Sequence, residues 1–181
     1  MSILELPPLR GRRVAVVGGG GGNNVATGDI CAEEGLDMPA LSPETQKKLT
    51  SFISLVNQAV INPLDIAGVI GNVAKLRRVL EIIVADPLID IIILSVSPGF
   101  WGTGEENVVR ELQRCITELS RKEAMGKPIV VAIHDLGKPA ETDEVLQDLR
   151  RAGITVYISL RRACRAINRV ALYYQFIGNS K

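Results

Sequence analysis

The chain has 181 residues, a formal net charge of +1, and 46% hydrophobic against 23% charged residues. That length and balance suit one globular domain with a sizeable core, and the near-neutral charge argues neither for nucleic acid nor for an anionic membrane surface as a partner. Aromatic residues make up only 4%, which leaves few platforms for stacking bases.

Met1 to Gly11, with Pro7 and Pro8, reads as a lead-in that packs late or stays loose. Such an opening also suits a fragment of a longer polypeptide. Arg13–Val17 is an apolar run of the kind expected for a parallel strand buried on both faces. It runs into five consecutive glycines, Gly18, Gly19, Gly20, Gly21 and Gly22, followed by Asn23 and Asn24. Glycine reaches backbone angles that other residues avoid and lets another group approach the main chain closely. A helix is expected from about Asn24 to Glu34, closed by Gly35 at the C′ position. Its first N–H groups lack intrahelical partners and carry partial positive charge, so strand, glycine loop and helix start together form a candidate phosphate or carboxylate cradle.

Leu36–Leu41 is a candidate short second strand. Ser42-Pro43-Glu44 marks a helix start, with Leu49, Phe52, Ile53 and Val56 following at helical spacing. Ile61–Gly68 is turn-rich. A helix is expected over Asn72–Ala85, ended by Asp86-Pro87, and Ile89–Val96 is the strongest strand signal in the chain. The loop Ser97–Gly104 leads to a helix with Val108, Val109, Leu112, Cys115, Ile116 and Leu119 inward. Ile129–Ile133 is the next strand, 141–152 a helix closed by Gly153, Thr155–Ile158 a last strand, and Leu160–Phe176 a last helix.

Strands alternating with helices imply right-handed βαβ crossovers. The expected fold is α/β, a flavodoxin-like doubly wound, mostly parallel five-stranded sheet with helices on both faces, spanning residues 12–177 between the lead-in and a short tail at 178–181. In such sheets ligands bind beyond the carboxyl ends of the strands, the edge where the glycine run, the Ser97 loop and His134–Gly137 fall.

The glycine run does not satisfy G-x-G-x-x-G, because Asn23, Asn24 or Val25 occupies the third small position, and no Gly-Lys-Ser/Thr follows it. It is therefore either a tight structural turn or bare backbone approached by a phosphate, a nucleotide or a partner loop. His134, the only histidine, is a candidate general base or phosphoryl carrier, or a loop residue with a local hydrogen bond. Asn62 and Asp65 flank Pro63 and serve either the turn or a polar contact at the ligand edge. Ser97 and Gly99 belong to the same edge, although Glu105 and Glu106 beyond them repel a phosphate. Arg161, Arg162, Arg165 and Arg169 form a basic stripe that reads as a solvated helix face. Cys31, Cys115 and Cys164 are odd in number and widely spaced, form no C-x-x-C pair, and read as buried thiols in a reducing compartment. No metal site is expected. With no signal-peptide stretch and no apolar run near the ~20 residues that span a bilayer, a cytoplasmic location without membrane insertion is expected.

Val16–Leu36 with its glycine run, then Leu41–Thr45, then Ile61–Ile66, resembles in this order the ligase-CoA, succinyl-CoA-synthetase-like flavodoxin domain of ADP-forming acyl-CoA synthetases. Asp86-Pro87 before the Ile91–Val96 strand, Lys127-Pro128 before the Ile129 strand and Ala152–Tyr157 extend the resemblance over residues 12–177. The resemblance implies a part in making acyl-CoA from acid, CoA and ATP through an acyl phosphate and a phosphohistidine on a mobile segment. It also implies partner CoA-binding and ATP-grasp domains or subunits that use CoA, ATP/ADP and Mg, with no cofactor held tightly by this chain. Ser97–Gly104 corresponds by order to the loop that meets the phosphohistidine in β-subunit relatives. Alone, the chain is expected to be inactive, and a homo-oligomer is compatible with the sequence. A non-catalytic scaffold or regulatory module of the same fold, and a free-standing nucleotide-binding protein, are the alternative readings.

Overall fold

A computed structural model describes residues 6, 9–18, 21–70, 72–96, 106–121, 127–133 and 146–178. Five strands form one all-parallel sheet: β1 (Val14–Gly18), β2 (Leu64–Asp65), β3 (Ile91–Val96), β4 (Ile129–Ile133) and β5 (Val156–Tyr157), in the order β2-β1-β3-β4-β5. The α/β, flavodoxin-like expectation holds, and the helices lie on both faces.

The side-chain alternation of each strand divides the core in two. Val14, Val16, Ile91, Ile93, Val130 and Ala132 face α1 (Gly21–Glu33) and α7 (Leu160–Gly178), with Cys31, Ala163, Cys164 and Ile167 packed between. Ala15, Val17, Ile92, Leu94, Val131 and Ile133 face the opposite layer. That layer comprises α2 (Pro43–Thr50), α3 (Ala67–Ile70), α4 (Val73–Val84), α5 (Glu106–Arg121) and α6, whose described residues are 146–151. Strands buried on both faces are why β1, β3 and β4 read as unbroken apolar runs. Leu6 and Leu9 of the lead-in are themselves buried, against the α7 side of the core.

Helix ends follow their sequence signals. Ser42 caps α2, its Oγ accepting from the Thr45 N–H at 3.2 Å, with Pro43 at N1. Asn72 caps α4 through the Lys75 N–H at 2.9 Å. Gly35 at φ +78° closes α1, with Leu36 N–H donating to the Cys31 carbonyl and Gly35 N–H to that of Ala32. Gly153 at φ +76° closes α6 in the same six-to-one, five-to-two pattern.

Three expectations are corrected. Leu36–Leu41 is not a strand, and the second strand is Leu64–Asp65 within the segment read as turn-rich. The free edge of β1 explains the exchange, because it is served piecewise. Val14 N–H donates to the Asp37 carbonyl at 2.8 Å. The Asn62 side chain takes the next slot, Oδ1 accepting from Val16 N–H at 3.0 Å and Nδ2 donating to the Val14 carbonyl at 2.8 Å. Only then do Leu64 and Asp65 pair with Val17 and Gly18. The same Nδ2 donates to the Pro39 carbonyl at 2.9 Å, so a side chain stands where the 36–41 segment would have continued the ladder. Pro39, lacking an N–H, has no donor to offer it.

The second correction is that α1 begins at Gly21 rather than Asn24. First-turn N–H groups need no intrahelical partner, so glycines are admitted there at little loss of bonding. Third, α2 ends at Thr50, which leaves Val56 76% exposed while Leu49 and Ile53 are buried.

Candidate functional site

Gly18 ends β1 at the carboxyl edge of the sheet, wholly buried, its carbonyl accepting from Ile66 N–H at 2.9 Å. A Cβ placed on it would stand 3.0 Å from the Ser95 carbonyl oxygen, so a side chain here would press directly on β3. The first glycine of the run thus sits where a side chain would crowd the neighbouring strand, whatever meets the others. Asp65 lies beside Gly18 in the β1–β2 register. Its backbone exchanges two 2.9 Å hydrogen bonds with Ala59, and its carboxylate accepts from Ala67 N–H at 3.4 Å, shaping the turn into α3.

Three residues after Gly18 the chain enters α1, whose first turn, Gly21–Asn24, contains no acidic residue. The positive end of this helix is thus left uncompensated by its own sequence, in contrast to α2, which carries Glu44 in its first turn. Gly18, Asp65 and the backbone of Gly21, Gly22, Asn23 and Asn24 belong to one edge. Asn62 lies apart from them, toward the amino end of β1, with both amide groups committed to the strand edge described above. Gly19, Gly20, Ser97, Gly99 and His134 fall outside the described residues. Among the described residues, no group of histidine, cysteine, aspartate and glutamate gathers to hold a metal.

The amino edge of the sheet is built differently. Arg13 grips Asp90 in a two-pronged pair, Nε to Oδ2 at 2.9 Å and Nη2 to Oδ1 at 2.7 Å, and its backbone N–H donates to Oδ2 at 3.0 Å. Burial alone would raise the Asp90 pKa, but the Arg13 hydrogen bonds prevail and hold it below the usual carboxylate range. Asp86, 1% exposed, accepts from Ser42 N–H at 2.8 Å and Leu88 N–H at 2.9 Å, and these bonds likewise overcome its burial. Lys127 donates to the Asp86 carbonyl, and desolvation lowers its pKa. These charges close on one another and tie α2, β3 and β4 together. In the sequence Asp86 reads only as a helix stop, and its position before Pro87 does not reveal that it also holds Ser42.

The basic stripe on α7 is half neutralised. Arg161 pairs with Glu33 at 2.7 Å and Glu34 at 3.1 Å, and Arg165 pairs with Glu34 at 2.8 Å. Arg165 and then Arg161 lower the Glu34 pKa to about 2. The stripe is thus in part a clamp between α7 and the end of α1. Among the described residues, no helix is long and apolar enough to cross a membrane.

Solved structures share this architecture. The crystal structure of PH0766 from Pyrococcus horikoshii OT3 is 21% identical with a TM-score of 0.80, and the match covers 98% of this chain and 39% of that one. The apo form of the dinucleotide forming acetyl-coenzyme A synthetase 1 of Ca. Korarchaeum cryptofilum is 22% identical with a TM-score of 0.71, covering 97% of this chain and 38% of that one. The same synthetase in complex with phosphate and ADP gives 22% identity and a TM-score of 0.73, covering 99% and 37%. The chain therefore spans about two fifths of the length of the structures it matches. No curated protein sequence matches it significantly. The model of the Ligase-CoA domain matches residues 14–175, from the first residue of β1 to the last turns of α7. With nearly the whole described fold inside that match, the chain belongs to the Ligase-CoA domain family.

Proposed function

We propose that this chain acts as the ligase-CoA domain of an ADP-forming acyl-CoA synthetase, contributing one loop edge to a reaction that other domains complete. The reaction turns a carboxylic acid, CoA and ATP into acyl-CoA, ADP and phosphate, through an acyl phosphate and a phosphohistidine. The observation that carries this reading is the domain match over residues 14–175, taken with whole-chain likeness to synthetase structures more than twice as long.

In this role the carboxyl edge meets a phosphorylated group or the domain that bears it. Backbone N–H groups in the acid-free first turn of α1 supply donors and partial positive charge, and the glycine run keeps side chains out of the way. Ser97 and Gly99 follow β3 from the same edge and contribute to the same surface. CoA, ATP/ADP and Mg are held by CoA-binding and ATP-grasp domains or subunits, and the chain by itself does not turn over.

Reconstitution tests this. The chain is combined with the ATP-grasp and CoA-binding polypeptides of its own organism, and acyl-CoA formation is followed from a short acid, ATP and CoA. Synthesis is expected only when all components are present. Synthesis by the chain alone, or synthesis unaffected by omitting it, overturns the proposal, and the latter outcome favours the scaffold reading.

A further inference from the structure

The interface between α1 and α7 holds two thiols in contact. Cys31 Sγ, in the last turn of α1, lies 3.7 Å from Cys164 Sγ, in the second turn of α7, although 133 residues separate them in the chain. Both residues are 0% exposed. Their proximity is imposed from outside by several groups. Arg161 and Arg165 clamp Glu33 and Glu34 just beyond Cys31. Gly35 faces α7, where a Cβ would stand 2.9 Å from Asn168 Nδ2. Held there, the sulfurs lie 3.7 Å apart, against a bonded distance of roughly 2.05 Å.

We propose that Cys31 and Cys164 are a reversible dithiol switch that hydrogen peroxide closes into a disulfide stapling α1 to α7. The two thiols are not equivalent. A hydrogen bond from Cys164 favours the Cys31 thiolate against the cost of burial, whereas Cys164 is pushed strongly upward by that bond and by its own burial. Either sulfur can be the donor across the contact, and with the proton on Cys164 it is Cys31 that attacks. Its thiolate displaces hydroxide from peroxide, giving Cys31 sulfenic acid and, with the thiol proton, one water. The Cys164 sulfur then attacks the sulfenic sulfur, its proton leaving with the hydroxyl as a second water. Two electrons and two protons pass from the thiols to peroxide, and a dithiol reductant reverses the change by two exchanges. Because both sulfurs are covered, peroxide enters when α7 opens locally from α1, which makes the reaction slow but specific. The third cysteine provides an internal control. Cys115 lies on α5 in the other half of the core, and burial pushes its thiol up to about 11.

The reduced, folded chain is treated with a modest excess of peroxide, quenched, alkylated and mapped by mass spectrometry under non-reducing conditions. The expected product is a peptide linking Cys31 to Cys164 within one chain, with Cys115 alkylated. Its Tm should rise by about 5–10 °C and fall back on addition of dithiothreitol. Cys115→Ser should retain both effects, and Cys31→Ser and Cys164→Ser should lose both. The proposal is overturned if Cys31 goes on to sulfinic acid without a link, if links run through Cys115 or between chains, or if the 31–164 link forms only in urea.

Discussion

The two edges of this sheet use opposite materials. At the amino edge, Arg13, Asp86, Asp90 and Lys127 bring full charges together, and each is answered by a neighbouring charge, N–H or carbonyl. At the carboxyl edge the described residues that follow β1 offer mainly backbone: a buried Gly18, then a helix that starts on glycine with no acid in its first turn. The amino edge is chemically rich, but its bonding capacity is spent on the fold. Among the described residues the turn from β1 into α1 offers few side chains, and its helix start carries charge that nothing in the first turn compensates. A census of titratable residues among those described would therefore select the edge whose bonding is already spent on the fold. The useful distinction is whether a group's hydrogen bonds already end within the domain.

If that distinction is right, substitutions at the amino edge should cost stability and leave function per folded molecule intact. The largest effect is expected for Asp86→Ala. It removes the acceptor for the Ser42 and Leu88 N–H groups at a position 1% exposed. Stranding those donors should cost about 3 kcal/mol, or roughly 6–12 °C in Tm for a domain of this size. Urea or thermal unfolding measures it, and a loss below about 1 kcal/mol would show that the cluster is not holding α2 to the sheet.

Asp90 sharpens the same point through pH. Its pKa is lowered in the folded chain, so its contribution to stability is complete above the unfolded value of roughly 4 and is lost as pH falls through the lower folded value. Asp90→Asn should be less stable than the parent at pH 7 by about 1–2 kcal/mol, because Arg13 then faces a neutral amide. As pH drops below about 4 the two unfolding curves should converge. A gap that stays constant into acid would mean that Asp90 acts by shape rather than by charge.

Much of this architecture is legible in the sequence, for identifiable reasons. Doubly buried strands must be apolar throughout, so Ile91–Val96 and Ile129–Ile133 announce themselves, and Ser42-Pro43, Gly35 and Gly153 mark helix ends by chemistry that acts within a few residues. What escapes is whatever depends on distant partners. Leu64–Asp65 is too short to show a period, and no local pattern tells that the Asn62 amide stands in for a strand. The contact between Cys31 and Cys164 is equally invisible from their spacing. At the site, the glycine run is legible as a loop feeding a helix, but how far the helix reaches back into it is not. Helix propensity counts against glycine, whereas the first turn tolerates it, so α1 starts three residues earlier than the side chains suggest.

That early start gives the carboxyl edge its own test, the one with the smallest expected effect on the fold. Gly22 lies in the first turn of α1, where a right-handed helical backbone accepts alanine without strain. If the glycines serve only the helix, Gly22→Ala should be neutral or stabilising by up to about 1 kcal/mol, since alanine loses less chain entropy on folding, and function should be unchanged. If bare backbone is needed for a phosphorylated group or a partner domain to come close, the same methyl group leaves Tm unchanged or higher while reconstituted acyl-CoA synthesis falls about 10- to 100-fold through misplacement of the approaching group. The second outcome is expected. The pairing of the two measurements is what decides, because Asp86→Ala should move them the opposite way, with lower Tm and unchanged synthesis per folded molecule. Equal synthesis by Gly22→Ala and the parent would reduce the glycine run to a turn and leave the carboxyl edge without its proposed role.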